Sequence, residues 1–145
     1  MSYLGLDVGE KRIGIALSDE LNMMAHAMSF IERKSDDFAI QSIKEMITLH
    51  NVEAVVVGMP ITLKGEIGKK AIEISAFADR LKGSAGCPIL TWDERLTTKE
   101  AERALIEQDM SRAKRRIKID ALAAQIMLQS FLDYTKNQQN YGKAL

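Results

Sequence analysis

Gly5-Leu6-Asp7-Val8-Gly9-Glu10-Lys11-Arg12-Ile13-Gly14-Ile15-Ala16-Leu17-Ser18-Asp19 is the stretch whose reading decides the fold. Leu4, Leu6 and Val8 alternate with Tyr3, Gly5 and Asp7, and Ile13, Ile15 and Leu17 alternate with Arg12, Gly14, Ala16 and Ser18. Period-two alternation of this kind marks two half-buried strands, and Gly9 to Lys11 supply the turn that makes them a hairpin. The face that carries Asp7 is then paved with Gly5, Gly14, Ala16 and Ser18, so one carboxylate stands on a floor almost without side chains. Such a floor admits the close approach of a phosphate backbone. An Asx-type turn role for Asp7 is the plainer alternative.

Outward from the hairpin, Ala25 to Ile31 reads as a third short strand. Ser35 or Asp36 caps a helix whose apolar positions Phe38, Ile40, Ile43, Met46, Ile47 and Leu49 follow helical spacing as far as about Asn51. Ala54-Val55-Val56-Val57 is continuous and mostly β-branched, the mark of a strand covered on both faces, and it stops at Gly58. A loop through Gly65 and Gly68 leads to a second helix on Ala71, Ile74, Phe77, Ala78 and Leu81. Gly83, Gly86 and Pro88 end it. Ile89 to Trp92 forms a further strand that delivers Asp93 and Glu94 at its carboxyl end. Thr97 with Glu100 makes a capping box for a third helix after Leu96. A last helix spans about Arg116 to Tyr134, and residues 137–145 are polar enough to fray.

This order predicts one α/β domain over residues 1–145: a mixed five-stranded sheet, three antiparallel strands then two parallel, with helices on both faces. The chain of 145 residues, 46% apolar and 28% charged, suits a single core. No window approaches a membrane span of about 20 apolar residues, and the start has no leader signature, so the expectation is a cytoplasmic protein with no membrane partner. Cys87 is the one cysteine and His26 and His50 are the two histidines. That excludes an internal disulfide and a cysteine-rich zinc site, and leaves any metal to oxygen ligands.

Open α/β sheets bind ligands beyond the carboxyl ends of their strands, where Asp7 and the Asp93-Glu94 pair both lie. Asp120 shares a helical face with Ala123, Ala124, Met127 and Phe131, and a carboxylate on such an apolar stripe needs a partner. That partner is either nearby Arg115 or Arg116, or a hard cation shared with Asp7 and one of Asp93 and Glu94. Formal net charge is zero. Yet Arg112, Lys114, Arg115, Arg116 and Lys118 crowd together directly before Asp120, as a solvated helix start or as a phosphate-contacting patch.

Four stretches, Asp7-Val8-Gly9 through Arg12 to Asp19, Val56-Val57-Gly58-Met59-Pro60 through Gly65, Asp93-Glu94-Arg95-Leu96-Thr97-Thr98, and Asp120-Ala121-Leu122-Ala123-Ala124 through Leu132-Asp133, together resemble the YqgF/RuvX family of the ribonuclease H-like superfamily. The resemblance spans nearly the whole chain. It implies a ribonuclease H-like fold and a Mg²⁺ or Mn²⁺ nuclease site, with two ions, in which Asp7, Glu94 and Asp120 form the acidic triad; Asp93 is the alternative or support to Glu94, and strand parity does not choose between them because a bulge would reverse it. It implies either maturation of the 5′ end of pre-16S ribosomal RNA or resolution of Holliday junctions.

Two divalent ions about 4 Å apart, bridged by Asp7 with Glu94 and Asp120 holding one each, suit phosphodiester hydrolysis. Arg12, Arg95, Arg112, Lys114, Arg115 and Arg116 are the candidate nucleic-acid contacts, with ion pairing the alternative for Arg12 and Arg95. The partner expected is RNA or branched DNA, with a pre-ribosomal particle a further candidate, and either a monomer or a homodimer fits. Two other readings compete. An actin- or hexokinase-like phosphotransferase shares the Asp-x-Gly turn but clamps its nucleotide between two domains, and a ribosome-assembly module that only binds nucleic acid would use the basic run without chemistry.

Overall fold

The computed structural model describes residues 1–60, 68–94 and 112–144, the last span as helical backbone with side chains described for 121–137. β1 (Ser2–Val8), β2 (Arg12–Ser18) and β3 (Ala25–Glu32) precede α1 (Asp36–Leu49); β4 (Val52–Met59), α2 (Lys69–Lys82), β5 (Ile89–Asp93) and α3 (Arg112–Ala144) follow. The strands form one five-stranded sheet in the order β3-β2-β1-β4-β5. β1 pairs antiparallel with β2 and β2 with β3, whereas β1–β4 and β4–β5 are parallel. The mixed sheet expected from the sequence is thus present, with β1 at its centre.

Alternation along the strands sorts two cores onto the two faces. Leu4, Leu6, Val8, Ile13, Ile15, Val55 and Val57 meet Ile40 and Ile43 of α1 and Ile74, Phe77 and Leu81 of α2 on one face. On the other, Ala16, Ala25 and Val56 meet Ala124, Met127, Leu128, Phe131 and Leu132 of α3. Helices therefore cover both faces, and small strand residues mark the face given to α3.

Local chemistry sets the helix ends. Ser35 is the N-cap of α1, its Oγ accepting from Phe38 N at 3.0 Å, while Asp36 and Asp37 occupy the first turn where the helix dipole favours acids. Beyond the C-cap His50, Asn51 turns the chain into β4 at φ 52°, a left-handed conformation that asparagine tolerates better than most residues. α3 begins at Arg112 rather than near Arg116 and continues to Ala144 rather than stopping near Tyr134. Its first 30 residues contain neither glycine nor proline and are rich in Ala, Arg, Lys and Gln, so nothing breaks it at either expected boundary. The helix expected after Leu96 lies outside the described residues.

Two polar side chains of α3 fasten it to the start of β3. Gln129 Oε1 accepts from Ala25 N at 2.8 Å, its Nε2 donates to Met23 O at 3.1 Å, and Gln125 Nε2 donates to Ala25 O at 3.1 Å. Gln129 is buried, so these bonds also satisfy groups that would be costly to leave unpaired. Among the described residues, no helix is long and apolar enough to cross a membrane.

Candidate active site

The register of the central strand builds the floor of the site. Gly5 pairs with Ala16 and Asp7 with Gly14 across β1–β2, and Gly5 pairs with Val56 across β1–β4. The small-residue floor is real, but over Gly5 it receives α3 and not a ligand. A Cβ on Gly5 would meet Leu128 Cβ at 2.9 Å and the Ala124 carbonyl oxygen at 3.4 Å. Ala123 is exposed, so the alanines that bring α3 close to the sheet are Ala121 and Ala124, not the adjacent pair expected.

Asp7 is half-buried at the end of this floor, where burial raises its carboxyl above the ordinary value and the Lys70 ammonium partly offsets the rise. Lys70 lies in the first turn of α2, just after the N-cap Gly68. Glu94 follows β5. The β4–β5 register runs from Val55↔Ile89 to Met59↔Asp93 without a shift, so Trp92 faces α3, Asp93 faces the α1–α2 side with Met59, and Glu94 returns to the α3 face. Its Oε1 lies 2.7 Å from the point that a Cβ on Gly58 would occupy. Only glycine leaves room for a carboxylate there.

The Glu94 carboxyl is also raised, first by burial, then by the negative charge of Asp7; Lys70 opposes the rise and Asp93 adds to it. Two desolvated acids thus face one floor and repel each other, and the Lys70 ammonium opposes the rise in both. Such a pair is unfavourable alone and favourable around a hard cation, and its donors are oxygens throughout. Among the described residues no set of three or more acidic, His or Cys side chains gathers as a metal site. The Asp120 side chain falls outside the described residues, as do Arg95 and the side chains of Arg112, Lys114, Arg115, Arg116 and Lys118.

Arg12 is exposed at the start of β2, with alternation that puts it on the Asp7 face, and its guanidinium lies 4.9 Å from the Phe30 ring centroid. Below the acids, Trp92 meets Phe131 edge-to-face with centroids 5.6 Å apart and Tyr134 at 5.1 Å, while Phe131 meets Tyr3 at 5.3 Å. The sequence does not mark Gln129 as an anchoring residue. Lys70, with Lys64 and Lys69, stands in sequence beside the Gly58 to Gly68 loop as a weak signal for contact with the strand being cut, and Gln129 reads as an ordinary polar helix position until its distant partner is seen.

Residues 1–134 match the family described as RuvX: Holliday junction resolvase. The chain belongs to the RuvX family. Among its relatives, a "Putative pre-16S rRNA nuclease" of Desulforudis audaxviator is 41% identical over 97% of this chain and 99% of its own. Proteins of the same name from Symbiobacterium thermophilum and Listeria monocytogenes are 48% and 44% identical, over 89% and 93% of this chain and 90% and 99% of theirs. Among solved structures, Thermus thermophilus RuvC in complex with a Holliday junction substrate superposes with a TM-score of 0.59 at 15% identity, covering 94% of this chain and 96% of that one. The Fowlpox virus resolvase in complex with junction DNA gives 0.57 at 14%, covering 93% and 99%. At these identities the RuvX chain shares their ribonuclease H-like fold, and the likeness establishes no more than the fold.

Proposed function

We propose that this RuvX-family protein is a divalent-metal-dependent nuclease that hydrolyses phosphodiester bonds of structured nucleic acid, acting on the 5′ end of pre-16S ribosomal RNA in the cytoplasm. The carrying observation is the pair of desolvated acids, Asp7 and Glu94, brought onto one glycine floor beside Lys70. The relatives' names favour the RNA substrate. The family description favours a second reading, resolution of four-way DNA junctions.

The register of α3 supports Asp120 as the third acid. Phe131 lies against Tyr3, and Leu128 and Ala124 lie against Gly5, so the helix runs toward Asp7 as its numbering falls. Four further helical residues cover about 6 Å, and two strand residues beyond Gly5 cover about 6.6 Å. A helix that keeps this course would bring backbone position 120 level with Asp7.

Asp7, Glu94 and Asp120 would hold Mg²⁺ or Mn²⁺, which supplies activation of water and neutralisation of charge developing on the phosphoryl oxygens. Asp7, on the central strand, fixes the shared point of the site. Glu94 is held over Gly58, where it cannot swing toward the sheet. Lys70 offsets part of the carboxylate charge and stands ready for a substrate phosphate. Arg12, together with Arg95, Arg112, Lys114, Arg115 and Arg116, is assigned to the nucleic-acid backbone.

Incubation of pure protein with a labelled precursor rRNA fragment, junction DNA and single-stranded RNA, each with and without Mn²⁺, tests this reading. Metal-dependent cleavage that is lost in Asp7→Asn supports it, and the preferred substrate decides between RNA and junctions. Binding without cleavage in every condition would leave a non-catalytic assembly module.

A further inference from the structure

The tight turn that follows Asp7 is held from outside by one residue. Gly9 N donates to Arg12 O at 2.9 Å to close it, and a Cβ on Gly9 would lie 2.7 Å from that same oxygen, so no side chain fits there. Arg33, just beyond β3, then grips both limbs. Its backbone N donates to Lys11 O at 2.8 Å and its Nη1 donates to Gly9 O at 2.9 Å.

The same guanidinium is fixed from two further directions. Arg33 Nε donates to Asp36 Oδ1 at 2.8 Å in the first turn of α1, and its centre lies 5.3 Å from the ring centroid of buried Phe77 of α2. Asp36 also pairs with Arg80 of α2 at 3.5 Å. The Arg33 side chain is 20% exposed, so these contacts are made in a partly desolvated setting where they are stronger than on an open surface. Phe77 belongs to the core on the sheet face opposite Asp7. Arg33 therefore does not touch the carboxylate; it acts through the backbone of Gly9 and Val8.

We infer that Arg33 is a positioning residue, which locks the β1–β2 turn to α1 and α2 and so fixes the Asp7 carboxylate for metal. This rests on the proposed role of Asp7. A ligand at a strand end keeps a useful geometry only if its backbone is held to within about 0.5 Å, and the pairs Asp7↔Gly14 and Val8↔Ile13 are the last before the turn. Lysine cannot replace the guanidinium, because three contacts at fixed angles require its planar fork.

The test measures Mn²⁺ binding to the free protein by electron paramagnetic resonance, alongside Mg²⁺ titrations of cleavage, in Arg33→Gln, Arg33→Lys and Asp36→Asn. Loss of an outer residue that orients a ligand typically weakens metal binding about 10–100-fold. Arg33→Gln is expected to weaken Mn²⁺ binding by at least about tenfold, with cleavage recovered by excess metal and substrate KM little changed. Arg33→Lys should fall between it and wild type, and serves as the reading if Arg33→Gln does not fold. Asp36→Asn removes the charge from the tie to α1 but keeps an Oδ1 that can accept from Arg33 Nε, and it keeps the Gly9 contact, so it should weaken Mn²⁺ binding less than Arg33→Gln does. Lower melting temperatures in the Arg33 variants with an unshifted metal midpoint overturn the inference and leave Arg33 a stabilising residue only. If Asp7→Asn itself binds Mn²⁺ and cleaves as wild type does, the site assignment fails and this inference with it; if Asp7→Asn is inert and the Arg33 variants are normal, this inference alone fails.

Discussion

Glu94 Oε1 lies 2.7 Å from where a Cβ on Gly58 would be, so the carboxylate occupies the space that the missing side chain leaves. The next obstacle is Met127 Cγ at 3.3 Å, also on a flexible side chain. Gly58→Ala should therefore fold at a cost of no more than about 1–3 kcal/mol, because the groups in the way can move. Cleavage should fall by at least about tenfold, since the group that moves first is the acid. Parallel melting and cleavage assays check this; wild-type turnover in Gly58→Ala would show that the position of Glu94 over the floor is unimportant.

Burial raises the Asp7 carboxyl in the folded state above its ordinary value of 3.8, so the folded protein binds protons more tightly there than the unfolded chain does. The sign follows from linkage: stability from this group is present below the ordinary value and is lost as pH rises through the raised one. Metal-free Asp7→Asn should then melt no lower than wild type at neutral pH, and its advantage should vanish under acid conditions near the ordinary carboxylate value. Glu94 adds to the gain, because the Asp7 charge is among the causes that raise its own carboxyl. Melting curves in chelator across acid to neutral pH read the effect; a clear loss of stability at neutral pH would mean that ionised Asp7 is satisfied by groups beyond Lys70.

Gly5→Ala inserts a methyl 2.9 Å from Leu128 Cβ and 3.4 Å from the Ala124 backbone oxygen. Backbone cannot rotate away, so the expected loss is about 1–3 kcal/mol, with Gly5→Val at or beyond the upper end. Cleavage should also drop, because lifting α3 moves position 120 away from Asp7. Urea unfolding and a cleavage assay at saturating metal separate the two effects.

The run Arg112 to Lys118 at the start of α3 is assigned to the nucleic-acid backbone. Each cation that neutralises a phosphate contributes about 0.7–0.9 to the slope of log binding constant against log salt. Changing Arg112, Lys114, Arg115 and Arg116 to Ala should flatten that slope by about two or more units and leave sequence preference nearly unaltered. An unchanged slope in a quadruple variant with normal circular dichroism returns the run to a solvated helix start.

The hairpin and the order of the described elements were legible because apolar residues in β1, β2, α1 and α2 follow a single period each, whereas the core expected to be single is two clusters, one on each face of the sheet. Register followed as well, since the two faces of β1 differ so strongly that Gly5 and Asp7 cannot exchange places with Leu4 and Leu6. The choice between Asp93 and Glu94 was not legible: one bulge in β5 would have reversed it, and only the unbroken pairing with β4 puts Glu94 on the Asp7 face. Gln129 and Arg33 escaped for another reason. Their anchoring bonds are to backbone atoms of Ala25 and Gly9, 104 and 24 residues away, and a backbone partner leaves no mark on the residue type that bonds to it. Ala123 was misjudged because it lies three residues on from Asp120 and so shares that residue's face, whereas the buried stripe of Ala121, Ala124, Leu128 and Leu132 is centred to one side of it.

The clasp between Gln129 and Ala25 also dictates an order of events during synthesis. The α1–α2 face of the sheet can close as soon as β5 has been made, but the face bearing Ala16, Ala25 and Val56 waits for residues 124–132. Until they emerge, a nascent chain carries an apolar sheet face open to water, and a contact separated by 104 residues must still form. Position 120 arrives on the same helix. A growing chain thus acquires the layer that covers this sheet face and the backbone of position 120 on one and the same helix.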